Sequence, residues 1–215
     1  MHRLTPSTGG IVLELIVEEP PDRDADEYAG SVILCHPHPV QGGTMRHPIL
    51  GAIAKEALAA RLVTVRFNFR GVGESTGNHD DGIAEVSDVA AVADFVEREL
   101  PPLVGIAGWS FGAAVSLIWH ARSASMVPYV GIAPPVSSPL SPALPSPEGL
   151  VDARRTFIVG ERDQFVDVDR LAVYAGTIGA DLSIYKGSDH FFVFKHERLA
   201  SDVVASILPP QHLPA

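Results

Sequence analysis

Gly108-Trp109-Ser110-Phe111-Gly112 has the spacing Gly-x-Ser-x-Gly, which can hold a serine hydroxyl at the apex of a tight strand-to-helix turn. Small residues two before and two after the serine let the chain double back without Cβ clashes. Five residues alone are a weak signal. The apolar run before them, and the small Ala113 and Ala114 after, supply the strand and the helix that such a turn requires. A serine hydroxyl is a poor nucleophile unless a base takes its proton and an anion orients that base. In this arrangement the parts follow in the order serine, acid, histidine. Downstream, Asp163 in VGERDQFVD follows a strand expected to end at Val159, and His190 in GSDHFF follows one expected to end near Tyr185. Both then stand at the carboxyl ends of parallel strands, the edge that carries sites in open α/β sheets.

Each assignment has rivals. Glu161 is near the same strand end as Asp163 and is the backup acid, whereas Asp167 and Asp169 read as a cap or first-turn acids of the next helix. His196 competes with His190, but its position near the start of the final helix reads as surface. His2, His79, His120 and His212 have no strand-end position.

Acyl transfer also needs two preorganised N–H donors for the oxyanion, one from the residue after the nucleophile and one from the loop after an earlier strand. Phe111 supplies the first. In His36-Pro37-His38-Pro39 the prolines carry no N–H, so His38 is the first candidate for the second, with Val40 or Gln41 behind it. Gly42 and Gly43 let that loop fold back over the site. The same His-x-His invites a metal reading, with His47 and Asp80 as conceivable further ligands, but no third ligand at metal spacing is evident, so no metal and no cofactor is expected. Arg70-Gly71-Val72-Gly73 resembles the start of a dinucleotide fingerprint; Gly77 comes one position late and no helix opens there. Cys35, at the end of an apolar strand, reads as a small buried residue rather than a thiol nucleophile. Phe191, Phe192 and Phe194 read as core or pocket wall, and Trp109 and Phe111 as either pocket lining or core.

The elements that must position these groups alternate between strand and helix. Strands are expected at Ile11–Glu18 (an outer one, from its acidic side chains), Ser31–Cys35, Leu62–Phe69, Leu103–Ala107, Tyr129–Ala133, Thr156–Val159 and Leu182–Tyr185. Helices are expected over His47–Arg61, Gly82–Leu100, from the GWSFG turn to Arg122, Asp169–Ile178 and Glu197–Leu208, with Glu85 favoured in a first turn by the helix dipole. Asp22–Glu27 reads as an acidic turn. This alternation implies a mainly parallel sheet with helices on both faces. Pro134–Pro147 holds six prolines in fourteen residues, which excludes a helical lid and implies a stiff loop.

The 215 residues suit one α/β domain spanning 1–215. With 46% hydrophobic and 20% charged residues the chain is not a disordered one. Its charge of −10 argues against a nucleic-acid binder, which needs a basic surface. The N-terminal segment lacks the shape of a signal peptide, no apolar run approaches a membrane span, and the single Cys35 makes no internal disulfide. A cytoplasmic location without membrane partners is the expectation; monomer and homodimer are not distinguished.

GWSFG, VGERD and GSDHFF, in that order, resemble the α/β-hydrolase superfamily. LCHPHPVQGGTM and RFNFRGVGESTG are similar to a narrower group of small, capless, dienelactone-hydrolase-like serine esterases, a likeness running from about Gly30 to Phe194. The resemblance implies Ser110 as nucleophile, Asp163 as acid, His190 as base, and Phe111 with His38 as oxyanion donors. Dienelactone hydrolase itself uses a cysteine nucleophile; this chain carries Ser110 there. The expected function is hydrolysis of short-chain or accessible carboxylic esters, with a small-molecule ester as substrate. A thioesterase, amidase or peptidase with the same triad, and a non-catalytic binding protein on the same fold, are the alternatives.

Overall fold

The structure, a computed structural model, describes residues 2–6 (by their backbone), 10–21 and 28–208. The acidic segment 22–27 lies outside the described residues. Among the described residues, eight strands form one sheet: β1 (His2–Pro6), β2 (Val12–Glu18), β3 (Gly30–Cys35), β4 (Leu62–Phe67), β5 (Leu103–Trp109), β6 (Tyr129–Ile132), β7 (Arg155–Gly160) and β8 (Asp181–Tyr185). Their spatial order is β1-β2-β4-β3-β5-β6-β7-β8. The β1–β2 and β2–β4 pairings are antiparallel and every pairing from β4 to β8 is parallel. The helices are α1 (Pro48–Ala59), α2 (Glu85–Glu99), α3 (Phe111–Arg122), α4 (Val168–Thr177) and α5 (His196–Ile207).

The parallel strands are apolar along their length because both faces are covered. All six residues of β3 are buried, α1 packs against α5 on one side and α2 against α3 on the other. The order β4-β3-β5 marks where the chain, having stepped from β3 outward to β4, returns past β3 to β5. Ligand sites in such sheets lie at this reversal, outside the carboxyl ends of the strands. The loops after β3 and β5, which carry His38 and Ser110, are the two that flank it.

Two expectations are corrected. The strand with acidic side chains is not the outermost one, because β1 pairs along its free edge. Its acids are partnered instead of solvated: Glu14 is buried and accepts from Asn68 Nδ2 at 2.7 Å, and Glu18 meets Arg66 at 2.6 Å. The helix expected from Gly82 begins at Glu85, since the buried Glu85 carboxylate accepts from the Asp80 and Gly82 N–H groups and ties 80–84 into a turn. Among the described residues, no helix is long and apolar enough to cross a membrane.

Candidate active site

Ser110 sits between β5 and α3 with φ +55° and ψ −121°, a left-handed backbone that costs a serine about 1–3 kcal/mol. The surroundings hold it there. Its N–H donates to Ile132 O at 2.8 Å, and its carbonyl accepts from Ala113 and Ala114 in the first turn of α3. Both motif glycines are required by close backbone approach: a Cβ at Gly108 would lie 2.4 Å from Gly112 O, and one at Gly112 would lie 2.3 Å from His36 O. The second contact seats the start of α3 on the end of β3, which brings the serine and His38 loops side by side.

His190, 4% exposed, comes from the loop after β8. Its Nδ1 lies 2.8 Å from Asp163 Oδ2, and the Asp163 side chain is fully buried. The other oxygen, Oδ1, accepts from the N–H groups of Phe165 and Val166, both at 2.9 Å. The two loops are tied further by Arg162 N–H to Ser188 O at 2.8 Å. The rivals are occupied elsewhere. Glu161 accepts from Gly187 N–H, Asp167 caps α4 through Arg170 N–H, and His196 Nε2 lies 2.9 Å from Phe191 O.

A cavity of about 300 Å³ is bounded by Ser110, His190, His38, Trp109, Phe111 and the Pro135–Ser141 part of the proline-rich loop. Phe111 opens α3, so its N–H has no intrahelical acceptor. In the β3 loop, Val40 N–H goes to His38 Nδ1 and Gln41 N–H to His38 O, which leaves neither for an oxyanion. Among the described residues nothing accepts the N–H of His38 itself. Burial, with the neighbouring His79 adding to it, lowers the His38 pKa, and burial likewise lowers that of His47, which caps α1 and packs at a tilt against Trp109, ring centroids 4.3 Å apart. Two of the imidazoles lining the cavity, His38 and His47, thus resist a charge.

The His-x-His pair does not converge. His36 is buried with both nitrogens engaged, Nδ1 at 2.6 Å from Pro37 O and Nε2 accepting from Phe69 N–H at 3.0 Å, so it bolts the two loops together. Among the described residues, no group of three His, Cys, Asp or Glu side chains is placed to hold a metal. Cys35 is buried, which pushes its thiol pKa up and away from nucleophilic use. The three phenylalanines divide: Phe192 is core, Phe191 lines the cavity, and Phe194, outside the core, is fully exposed beside a neighbouring groove. Sequence reasoning missed the cavity roles of His47, Leu140 and Phe165, whose only local signals are a histidine before Pro48 and lone apolar residues in polar loops. A wider depression at Trp119, Leu103 and Val127 opens near the amino ends of β5 and β6, the wrong edge for this chemistry.

No family model matches the chain. The uncharacterized protein RP471 of Rickettsia prowazekii (strain Madrid E) is 31% identical over 180 residues, covering 80% of this chain and 75% of that one. XC6422 from Xanthomonas campestris, described as an α/β serine hydrolase without lid, superposes with a TM-score of 0.82 at 29% identity, over 100% of this chain and 95% of its own. An α/β serine hydrolase homologue from Coxiella burnetii gives 0.81 at 29% identity, over 97% of each. With a mostly parallel sheet and a serine at the β5–α3 turn, the chain belongs to the α/β-hydrolase superfamily and has the fold of its lidless members.

Proposed function

We propose that the protein is a serine hydrolase of carboxylic esters that works through an acyl-enzyme. Ser110 attacks the ester carbonyl while His190 takes its proton, and Asp163 holds the imidazole in the tautomer that can accept. The oxyanion is received by the N–H groups of Phe111 and His38. His190 then protonates the departing alcohol, and water, activated by the same imidazole, releases the acid. The observation that carries the reading is the 2.8 Å contact between His190 and a fully buried Asp163 carboxylate, at the wall of a cavity that Ser110 also lines. A charge buried that completely is costly unless something uses or pairs it.

Ser110→Ala is expected to abolish turnover of p-nitrophenyl acetate and labelling by a fluorophosphonate, with the melting temperature kept. Near-normal turnover in that variant would refute the mechanism, and a wild-type protein that takes no label would favour a binding role. With only 23 residues between Ala133 and Phe157 there is little chain to cover the cavity. Acetyl and butyryl esters should therefore be preferred over long-chain acyl esters; a tenfold preference for the latter would contradict this.

A further inference from the structure

An open groove runs on from the catalytic cavity. His47 and Phe191 line both spaces, and beyond them the groove is walled by Pro48, Val193, Phe194 and His196, with Glu197 at its rim. Its apolar walls are conspicuously bare: Val193 is 48% exposed and Phe194 100%. Phe194 also carries φ +62°, a left-handed conformation that a bulky side chain rarely adopts, so its ring is held out from the core.

The geometry of the reaction says which end of a substrate would lie there, an argument that rests on the catalytic reading above. In the tetrahedral intermediate the carbon carries Ser110 Oγ, the oxyanion directed to the Phe111 and His38 N–H groups, the acyl group and the leaving oxygen. As the bond from carbon to the leaving oxygen breaks, the proton that Ser110 gave to His190 passes to that oxygen, so the alcohol must depart along the His190 wall. Phe191 is the next residue, its ring centroid 5.6 Å from that of His190, and it leads into the groove. His196 fixes this wall through its contact with the Phe191 carbonyl. The acyl group is then left to the rest of the cavity, whose lining includes Pro135 and Leu140.

We infer that the groove of Pro48, Phe191, Val193 and Phe194 is a leaving-group subsite, and that the substrates are esters joining a small acid to an extended apolar alcohol, alkyl or arylalkyl. The alcohol gains by covering apolar surface that is otherwise in water. Discrimination in an open apolar groove is modest, roughly tenfold for a few methylenes.

The test compares hexyl acetate, methyl acetate and methyl hexanoate on the wild type and on Phe194→Asn and Val193→Ser. Phe194 has nothing to lose from the core, and asparagine tolerates positive φ. Wild-type kcat/KM should be higher for hexyl acetate than for methyl acetate. The two variants should lower it roughly tenfold in combination, with methyl acetate and methyl hexanoate unchanged. Loss on methyl hexanoate alone would assign the groove to the acyl chain and overturn the proposal. An equal effect on all three esters, or no effect, would overturn it too. Failure to hydrolyse any ester, with Ser110 unlabelled, would bring down the catalytic reading and the subsite together, an outcome distinct from the others.

Discussion

Asp163 divides its oxygens between two tasks. Oδ1 accepts from the Phe165 and Val166 N–H groups, which shapes the loop, and Oδ2 faces His190 Nδ1. An asparagine can keep the first set of bonds through its carbonyl, but its amide then points N–H donors at His190. The imidazole must accept there, its proton moves to Nε2, and Nε2 could not take the Ser110 proton as the proposed mechanism requires. Asp163→Asn is therefore expected to lower kcat by about 10³–10⁴ while the melting temperature stays near the wild-type value. Steady-state kinetics beside a thermal melt checks this. A loss matched by unfolding, or a change of less than tenfold, would mean that Asp163 serves only the loop. Glu161 illustrates why residue type and order do not suffice for such an assignment: it is nearer to β7 in the chain than Asp163, yet it is turned to Gly187 N–H.

At the scale of elements, the junction of β5, α3 and the end of β3 carries the most constraint. Gly112 lets the first turn of α3 lie on the backbone of Cys35 and His36, where a methyl group would meet two carbonyl oxygens at 2.6 and 2.3 Å. Backbone on both sides cannot swing away as a flexible side chain would. Gly112→Ala should cost about 1–3 kcal/mol of stability, the range for overpacking, and should also separate the Phe111 and His38 donors. The signature is a fall in kcat larger than the rise in KM, measured with urea unfolding in parallel; a variant with normal kcat would show that the junction gives more easily than its distances suggest. A second brace lies behind the site. Arg70 and the fully buried Asp88 are paired at 2.6 Å, and Arg70 N–H donates to the same carboxylate, fastening the loop after β4 to α2. Removing one member of such a buried pair strands the other, so Asp88→Ala is expected to cost about 3–5 kcal/mol by denaturant unfolding. A loss under 1 kcal/mol would show that water reaches the stranded guanidinium.

For the molecule as a whole, the buried histidines tie stability to acid. Burial, which penalises the charged imidazolium, lowers the pKa of His36 from its ordinary 6.5 to about 3, with His38 and His47 adding to the shift. Between those values the unfolded chain binds a proton that the native one refuses. The contribution is fully present above pH 6.5 and declines by about 1.4 kcal/mol per pH unit below it, down to about 3. His38, His47 and His120 shift in the same direction. Urea unfolding at pH 7 and pH 5 should give a clear loss at the lower pH, and His36→Asn a shallower one; equal slopes would remove His36 from this account. Local signals were enough for the strand–helix alternation and for the GWSFG turn, because periodicity and glycines at a turn are properties of the sequence alone. The outermost β1 was not legible, nor was the burial of Glu14, since an edge partner and a buried acceptor are defined by distant segments. The same holds for the turning of Glu161 to Gly187 N–H, for the engagement of the Val40 and Gln41 N–H groups within the His38 loop, and for the groove beside Phe191. Each depends on which way a side chain or an N–H turns once two loops from separate strands meet, and a one-dimensional pattern carries no such direction.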